Sequence, residues 1–229
     1  MAGNIREKFD TLNEGVKVMG LQPAKMHYWL YNKIQWAENM ENSILSWGRE
    51  QGLPVDEWSK RIRSLFGDPL PDKPLEELID STSIQDWLQS RIQSAELRQA
   101  ALITQILKYR PDLKDKLRAL YESLGRLAGE RGEPVESPES AYYALKDIIL
   151  EGIPCGTADE VLRCNPREFA WKTKMCMHKP YWDQVQGDVE HFYYLRKAWI
   201  DSFVSAVNPS LRYEWLPDST HKIVAGITG

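Results

Sequence analysis

Apolar positions recur at three- and four-residue spacing through most of the first 150 residues, and that periodicity predicts helices in series. The segment beginning at Pro23 and ending near Gly52 reads as one long helix, with Trp29, Trp36, Met40 and Trp47 along one line and Met26, Leu30, Ala37 and Ile44 widening the same face. His27 and Tyr31 fall on its other faces. A shorter helix covers LPVDEWSKRIRSLFG, and the proline-rich DPLPDKP connects it onward. From about Leu75 the pattern is helical again through Ile84, Leu88, Ile92, Ile103 and Leu107 until Pro111 interrupts it. Leu113, Leu117, Leu120, Leu124 and Leu127 then form a seam at heptad-like spacing. At about two heptads it is short for a free coiled coil, so it predicts an internal helix pair first and a homodimer second. GERGEPVESPES is a loop by composition, and SAYYALKDIILEG is the last helix of the series.

Past Gly156 the period changes from about 3.6 to 2. Two short strands broken at Asn165 and Pro166 are expected, and in EFAWKTKMC alternation puts Phe169, Trp171, Thr173 and Met175 on one face and Ala170, Lys172, Lys174 and Cys176 on the other. DVEHFYYLRKAWIDSFVSAV is an amphipathic helix with Val189, Phe192, Trp199, Phe203 and Val207 in a stripe. LRYEW and HKIVAGI flank LPDST as a hairpin. The fold class expected is α+β, with a helical region over 1–152 and a small antiparallel sheet with a long C-terminal helix over 153–229, the two forming one integrated domain. Residues 1 to 20 read as a loose arm carrying a short helix.

Composition narrows the function classes. A net charge of -4 and pI near 5.7 leave no basic stripe for nucleic acid, no apolar run reaches the length of a membrane span, and no leader-like segment opens the chain. A cytoplasmic protein is expected. Three cysteines, Cys155, Cys164 and Cys176, match neither a CxxC pair nor a disulfide framework. Nucleotide-cradling glycine motifs, GxSxG and HExxH are missing. Nine Trp and ten Tyr are the unusual feature; large rings with one polar handle suit a core that opens onto a pocket.

The chemistry-bearing residues cluster late. If the strand continues far enough, Cys176 and His178 share one face, about 7 Å apart at Cα. That spacing serves a thiol nucleophile beside a base, or two ligands of a zinc or iron ion. A buried cysteine beside a surface histidine is the third reading. Cys164, His191 and His221 are the further ligand candidates, with Asp183, Asp188 or Glu190 as carboxylates.

The order of features over residues 168–227 resembles the C-terminal part of the L-2-amino-thiazoline-4-carboxylate hydrolase-like proteins, which are akin to the 4-vinyl reductase type of small-molecule-binding domain. WKTKMC supplies the family's strand-end cysteine as Cys176, SAVNPSLRYEW its helix end and next strand, and PDSTHKI stands at its last motif, with Asp218 at the motif's Asp and His221 at its cysteine. The resemblance implies a buried pocket for a small organic molecule and hydrolysis of a cyclic amidine-type C–N bond. Cys176, His178 and His221 would then converge as nucleophile and bases, or as metal ligands, with Trp171, Lys174, Tyr181, Trp182 and His191 around the substrate. The competing expectation is a small-molecule-binding or sensor module without turnover.

Overall fold

A computed structural model describes residues 25–79, 83–151 and 159–226. The expected N-terminal arm, the Pro23 start of the first helix and Cys155 lie outside those residues. Among the described residues eight α-helices precede or flank a four-stranded antiparallel sheet, as the two periodicities require. Among the described residues no helix is long and apolar enough to cross a membrane.

α1 (Lys25–Glu50) and α2 (Val55–Phe66) are joined by a tight turn in which Gly52 adopts φ 73°, a conformation that costs glycine little. The expected helix from Leu75 is divided into the single turn α3 (Leu75–Leu78) and the long α4 (Ile84–Tyr109). Ser83 caps α4 by accepting from the Asp86 amide at 3.2 Å. After a 3₁₀ turn at Pro111–Leu113 come α5 (Lys114–Arg131) and α6 (Pro138–Ile148), the latter opened by a reciprocal Ser137/Ser140 capping box.

α1 buries more than its tryptophan line. Its fully buried residues are Leu30, Tyr31, Lys33, Ile34, Glu38, Glu41, Ile44, Leu45 and Gly48, whereas Trp29, Trp36, Met40 and Trp47 are partly buried. Two of its acids explain the difference: Glu38 and Glu41 turn inward because Arg98 of α4 meets them at 2.6 and 2.8 Å. Tyr31 is likewise turned inward, and its hydroxyl donates to the Lys73 carbonyl at 2.6 Å.

The leucine seam packs inward for most of its length, with Leu120 and Leu124 half-buried against the core. Leu113 and Leu117 are buried, but the buried face then runs through Tyr121, Gly125, Ala128 and Gly129, leaving Leu127 exposed. The partner is α8 (Val189–Val207). A Cβ on Gly125 would lie 2.1 Å from the Trp199 carbonyl oxygen, and one on Gly129 2.7 Å from that of Phe203. The two backbones therefore approach as only glycine permits.

β1 (Asp159–Asn165), β2 (Glu168–Thr173), β3 (Leu211–Trp215) and β4 (Thr220–Ala225) stand in the order β1-β2-β4-β3. The Asn165 side chain accepts from the Arg167 and Glu168 amides at 2.9 and 3.0 Å and so turns the first hairpin. Asp218 does the same in the second, accepting from the amide and hydroxyl of Thr220. Register aligns Trp171 with His221 and His221 with Trp215, making one cross-strand aromatic row. One core cluster runs from Ile44 and Ile103 through Leu117, Tyr142 and Trp199 to Phe169 and Ile223, and so joins helices and sheet.

Candidate functional site

Strand β2 ends at Thr173, short of the residues expected to carry the alternation onward. Cys176 and His178 therefore sit in the following bend and at the start of the short helix α7 (Lys179–Gln184), not on a strand face. The Cys176 sulfur accepts from the Lys179 amide at 3.2 Å. Burial and a hydrogen bond with Cys176 hold the Tyr193 phenol above its ordinary range.

His178 and His221 are committed to separate partners. His178 is buried, its Nδ1 lies 3.1 Å from Glu96 Oε2, and its ring packs on Phe192. His221 Nδ1 meets the Tyr213 hydroxyl at 2.6 Å while its ring stacks on Trp171 and packs against Trp215. Burial, reinforced by the Arg196 charge, pushes the His221 imidazole down to about 4, so at neutral pH it is uncharged. Among the described residues no group of three or more His, Cys, Asp or Glu could hold a metal ion, so Cys176, His178 and His221 are not gathered into a ligand set for zinc or iron.

The other expected residues divide. Trp171 and Trp182 are buried in the core, and Tyr181 is half-buried near Glu96, where burial and that carboxylate raise its phenol pKa. Lys174 points to solvent and pairs with Glu160 at 3.3 Å. His191 is half-buried on α8, and burial and the Lys114 charge lower its pKa.

A cleft of about 60 Å³ lies instead between α1, α4, α5 and α8 and the end of α6. Its walls are mainly apolar, chiefly Trp36, Met40, Tyr121, Phe192 and Trp199, and its polar groups are Glu96, Gln99 and Arg196. The indole Nε1 of Trp199 is buried without a hydrogen-bond partner among the described residues. A buried donor left unpaired costs about 1–3 kcal/mol, which marks the place where an acceptor would be welcome.

Behind the polar end of this cleft runs a seam of charge. Arg196 pairs with Glu151, Lys146 pairs with Glu151 and with Asp159 at 2.8 Å, and Asp159 accepts from Thr173 at 2.9 Å and Tyr142 at 3.2 Å. Burial opposes the charge on Asp159, but Lys146 and these hydrogen bonds outweigh it and lower its pKa. Lys146 is shifted down, by burial first. Sequence patterning missed Glu96 and Arg196 because each stands on a helix where a charged residue ordinarily faces water. Trp36, Ala37, Met40, Phe192 and Trp199, read as core stripes, pointed toward the cleft.

The geometry thus defines an α+β protein with an aromatic cleft and a charged seam at its polar end. No protein-family model matches the chain, and neither curated proteins nor solved structures give a match.

Proposed function

We propose that this protein binds a small, mainly apolar ring compound in the helical cleft, with an acceptor such as a carboxylate or carbonyl turned toward Trp199 Nε1 and Arg196. The observation that carries the reading is the unpaired, buried Trp199 donor in a wall that also holds a guanidinium. Size bounds the ligand. An enclosed cavity of roughly 150 Å³ accommodates benzene, whereas this one measures about 60 Å³ and is open on one side. A single ring would enter partway and leave its far end in solvent.

Hydrolysis of a cyclic amidine-type C–N bond is the second reading, and one observation favours it. Glu96 borders the cleft and accepts from His178 Nδ1, which would orient the imidazole and free Nε2 to take a proton from water. Cys176 is two residues away on the same bend and would be the nucleophile of that reading.

Both are tested by titrating the protein with benzoate, an indole carboxylate and a thiazoline carboxylate while following tryptophan fluorescence and product formation. Binding is expected, weakened about three- to tenfold by Trp199→Phe, which keeps the ring and removes one donor. No fluorescence response to any of the three, or full affinity in Trp199→Phe, would sink the binding reading. Turnover that survives both His178→Gln and Cys176→Ala would sink the catalytic one.

A further inference from the structure

The sheet ends in two edge strands, β1 and β3, and they are finished differently. An edge strand offers a row of amides and carbonyls to any other chain, and proteins blunt that hazard with bulges and charges. β1 is blunted. Its pairing with β2 shifts register between Val161 and Arg163, and its charges are engaged within the chain, Glu160 by Lys174 at 3.3 Å and Arg163 by Glu168 at 3.3 Å. β3 keeps one register against β4 from Leu211 to Trp215. Its outer face carries Arg212 and Glu214, both exposed, and among the described residues neither makes an ion pair or a side-chain hydrogen bond.

The ladder decides which main-chain groups of β3 face outward. The Leu216 amide donates to the Thr220 carbonyl at 2.8 Å, and the Gly226 amide to the Ser210 carbonyl at 2.6 Å. Positions 210 and 216 thus turn toward β4. By alternation Arg212 and Glu214 do the same, and the main-chain groups of Leu211, Tyr213 and Trp215 turn away from it. The Leu211 amide is taken by the Asn208 carbonyl at 2.9 Å. That leaves the Tyr213 and Trp215 amides and the three carbonyls on the open side.

We propose that β3 is a homodimer edge: it pairs antiparallel with β3 of a second copy about a twofold axis at Tyr213, joining two four-stranded sheets into one. The Tyr213 main chains then bond reciprocally across the axis, and each Trp215 amide donates to the Leu211 carbonyl of the second copy. Arg212 faces Glu214 on both sides of the axis, in the pairs without backbone bonds, where side chains approach most closely. Charge of one sign along an edge would repel a second copy. Opposite signs two residues apart select this register instead, because a slip by two residues brings Arg212 onto Arg212 or Glu214 onto Glu214, and a slip by one turns the wrong main-chain groups outward. Helix α8 packs on the inner face of β3, leaving the charged outer face to solvent. The inference stands apart from the cleft, whose lining includes no residue of β3. A pair of five-residue strands falls short of the roughly 1,000 Å² of a lasting interface, so the dimer exchanges with monomer and is half-formed at about 100 µM.

The test is sedimentation equilibrium of the full chain from about 5 µM to about 1 mM. Arg212→Glu and Glu214→Arg each set like charges in both pairs and are expected to raise the dissociation constant at least about tenfold. Mixed in equal amounts, the two variants restore association as a heterodimer, since every carboxylate of one then faces a guanidinium of the other; the double exchange R212E/E214R restores it within one sequence. Hydrogen exchange followed by NMR on the unaltered protein locates the contact. The Tyr213 and Trp215 amides should gain protection as concentration rises, whereas those of Arg212 and Glu214, bonded to β4, are protected throughout. A chain monomeric up to about 1 mM would overturn the proposal. So would a dimer indifferent to the single reversals, reversed variants that fail to associate when mixed, or concentration-dependent protection confined to other amides.

Discussion

Arg98 and Arg196 both place a guanidinium largely out of water, and their surroundings differ in every other respect. Arg98 is fully buried and each arm is used: Nε donates to Glu41 at 2.8 Å, Nη1 to Ser94 at 2.7 Å and to the Gly67 carbonyl at 3.3 Å, and Nη2 to Glu38 at 2.6 Å. Two carboxylates answer one cation. Arg196 keeps 17 % of its side chain exposed, is held by Glu151, and turns toward space lined by Trp199 and Phe192. Burial lowers its pKa, though a guanidinium remains charged. A buried charge with all its valences used tethers secondary structure, here α1 to α4. One with valences left over beside a void is where a ligand can add something.

That contrast can be broken experimentally. Arg98→Met strands Glu38 and Glu41 in the core and is expected to cost about 3–5 kcal/mol in urea denaturation, with cleft binding unchanged in the folded fraction. Arg196→Met should cost less than half as much, because Lys146 remains to meet Glu151, yet weaken binding of a carboxylate ligand about tenfold. Equal stability losses would erase the distinction.

His221 tests the seam between cleft and sheet. Its folded-state pKa, about 4, lies below the 6.5 of an unperturbed imidazole. Between those values the unfolded chain binds a proton that the folded protein refuses, so stability falls as pH drops from 6.5 toward 4, by up to ~3 kcal/mol. Denaturation midpoints across that window should show the slope, and His221→Gln should flatten it. The smallest effect belongs to the exposed ion pair of Arg49 with Asp56, whose side chains are 52 % and 71 % open to solvent. Arg49→Gln should leave the midpoint where it was, since water serves these charges nearly as well as they serve each other.

Most of the element order was readable from periodicity and turn chemistry, but the short helix α7 and the break between α3 and α4 were not. The helix stripe through Phe192, Trp199, Phe203 and Val207 and the two hairpins around Asn165 and Asp218 stand where alternation and turn chemistry put them. The length of β2 was not readable, because Lys174, Met175 and Cys176 continue the alternating pattern past Thr173 without a strand beneath them. The polar half of the site was hidden for a deeper reason. Glu96 and Arg196 are charged residues on helices, and nothing local separates one that faces water from one whose partner arrives from far along the chain. His178 lies 82 residues from Glu96, and Glu151 lies 45 from Arg196. Histidines and a cysteine drew attention to the sheet, but the cleft lies among the helices.

The paired glycines of α5 have a reach beyond packing. Gly125 lets α5 lie against the main chain of Trp199, whose indole forms a cleft wall, and Tyr121, one turn earlier on α5, lines the same cleft. The spacing of these two walls is thus set by the hydrogen atom of a glycine. A methyl group added at position 125 lies off the cleft lining, yet it would spread the two helices that bound the cleft. Residues that never meet a bound molecule can in this way set how large a molecule the protein admits.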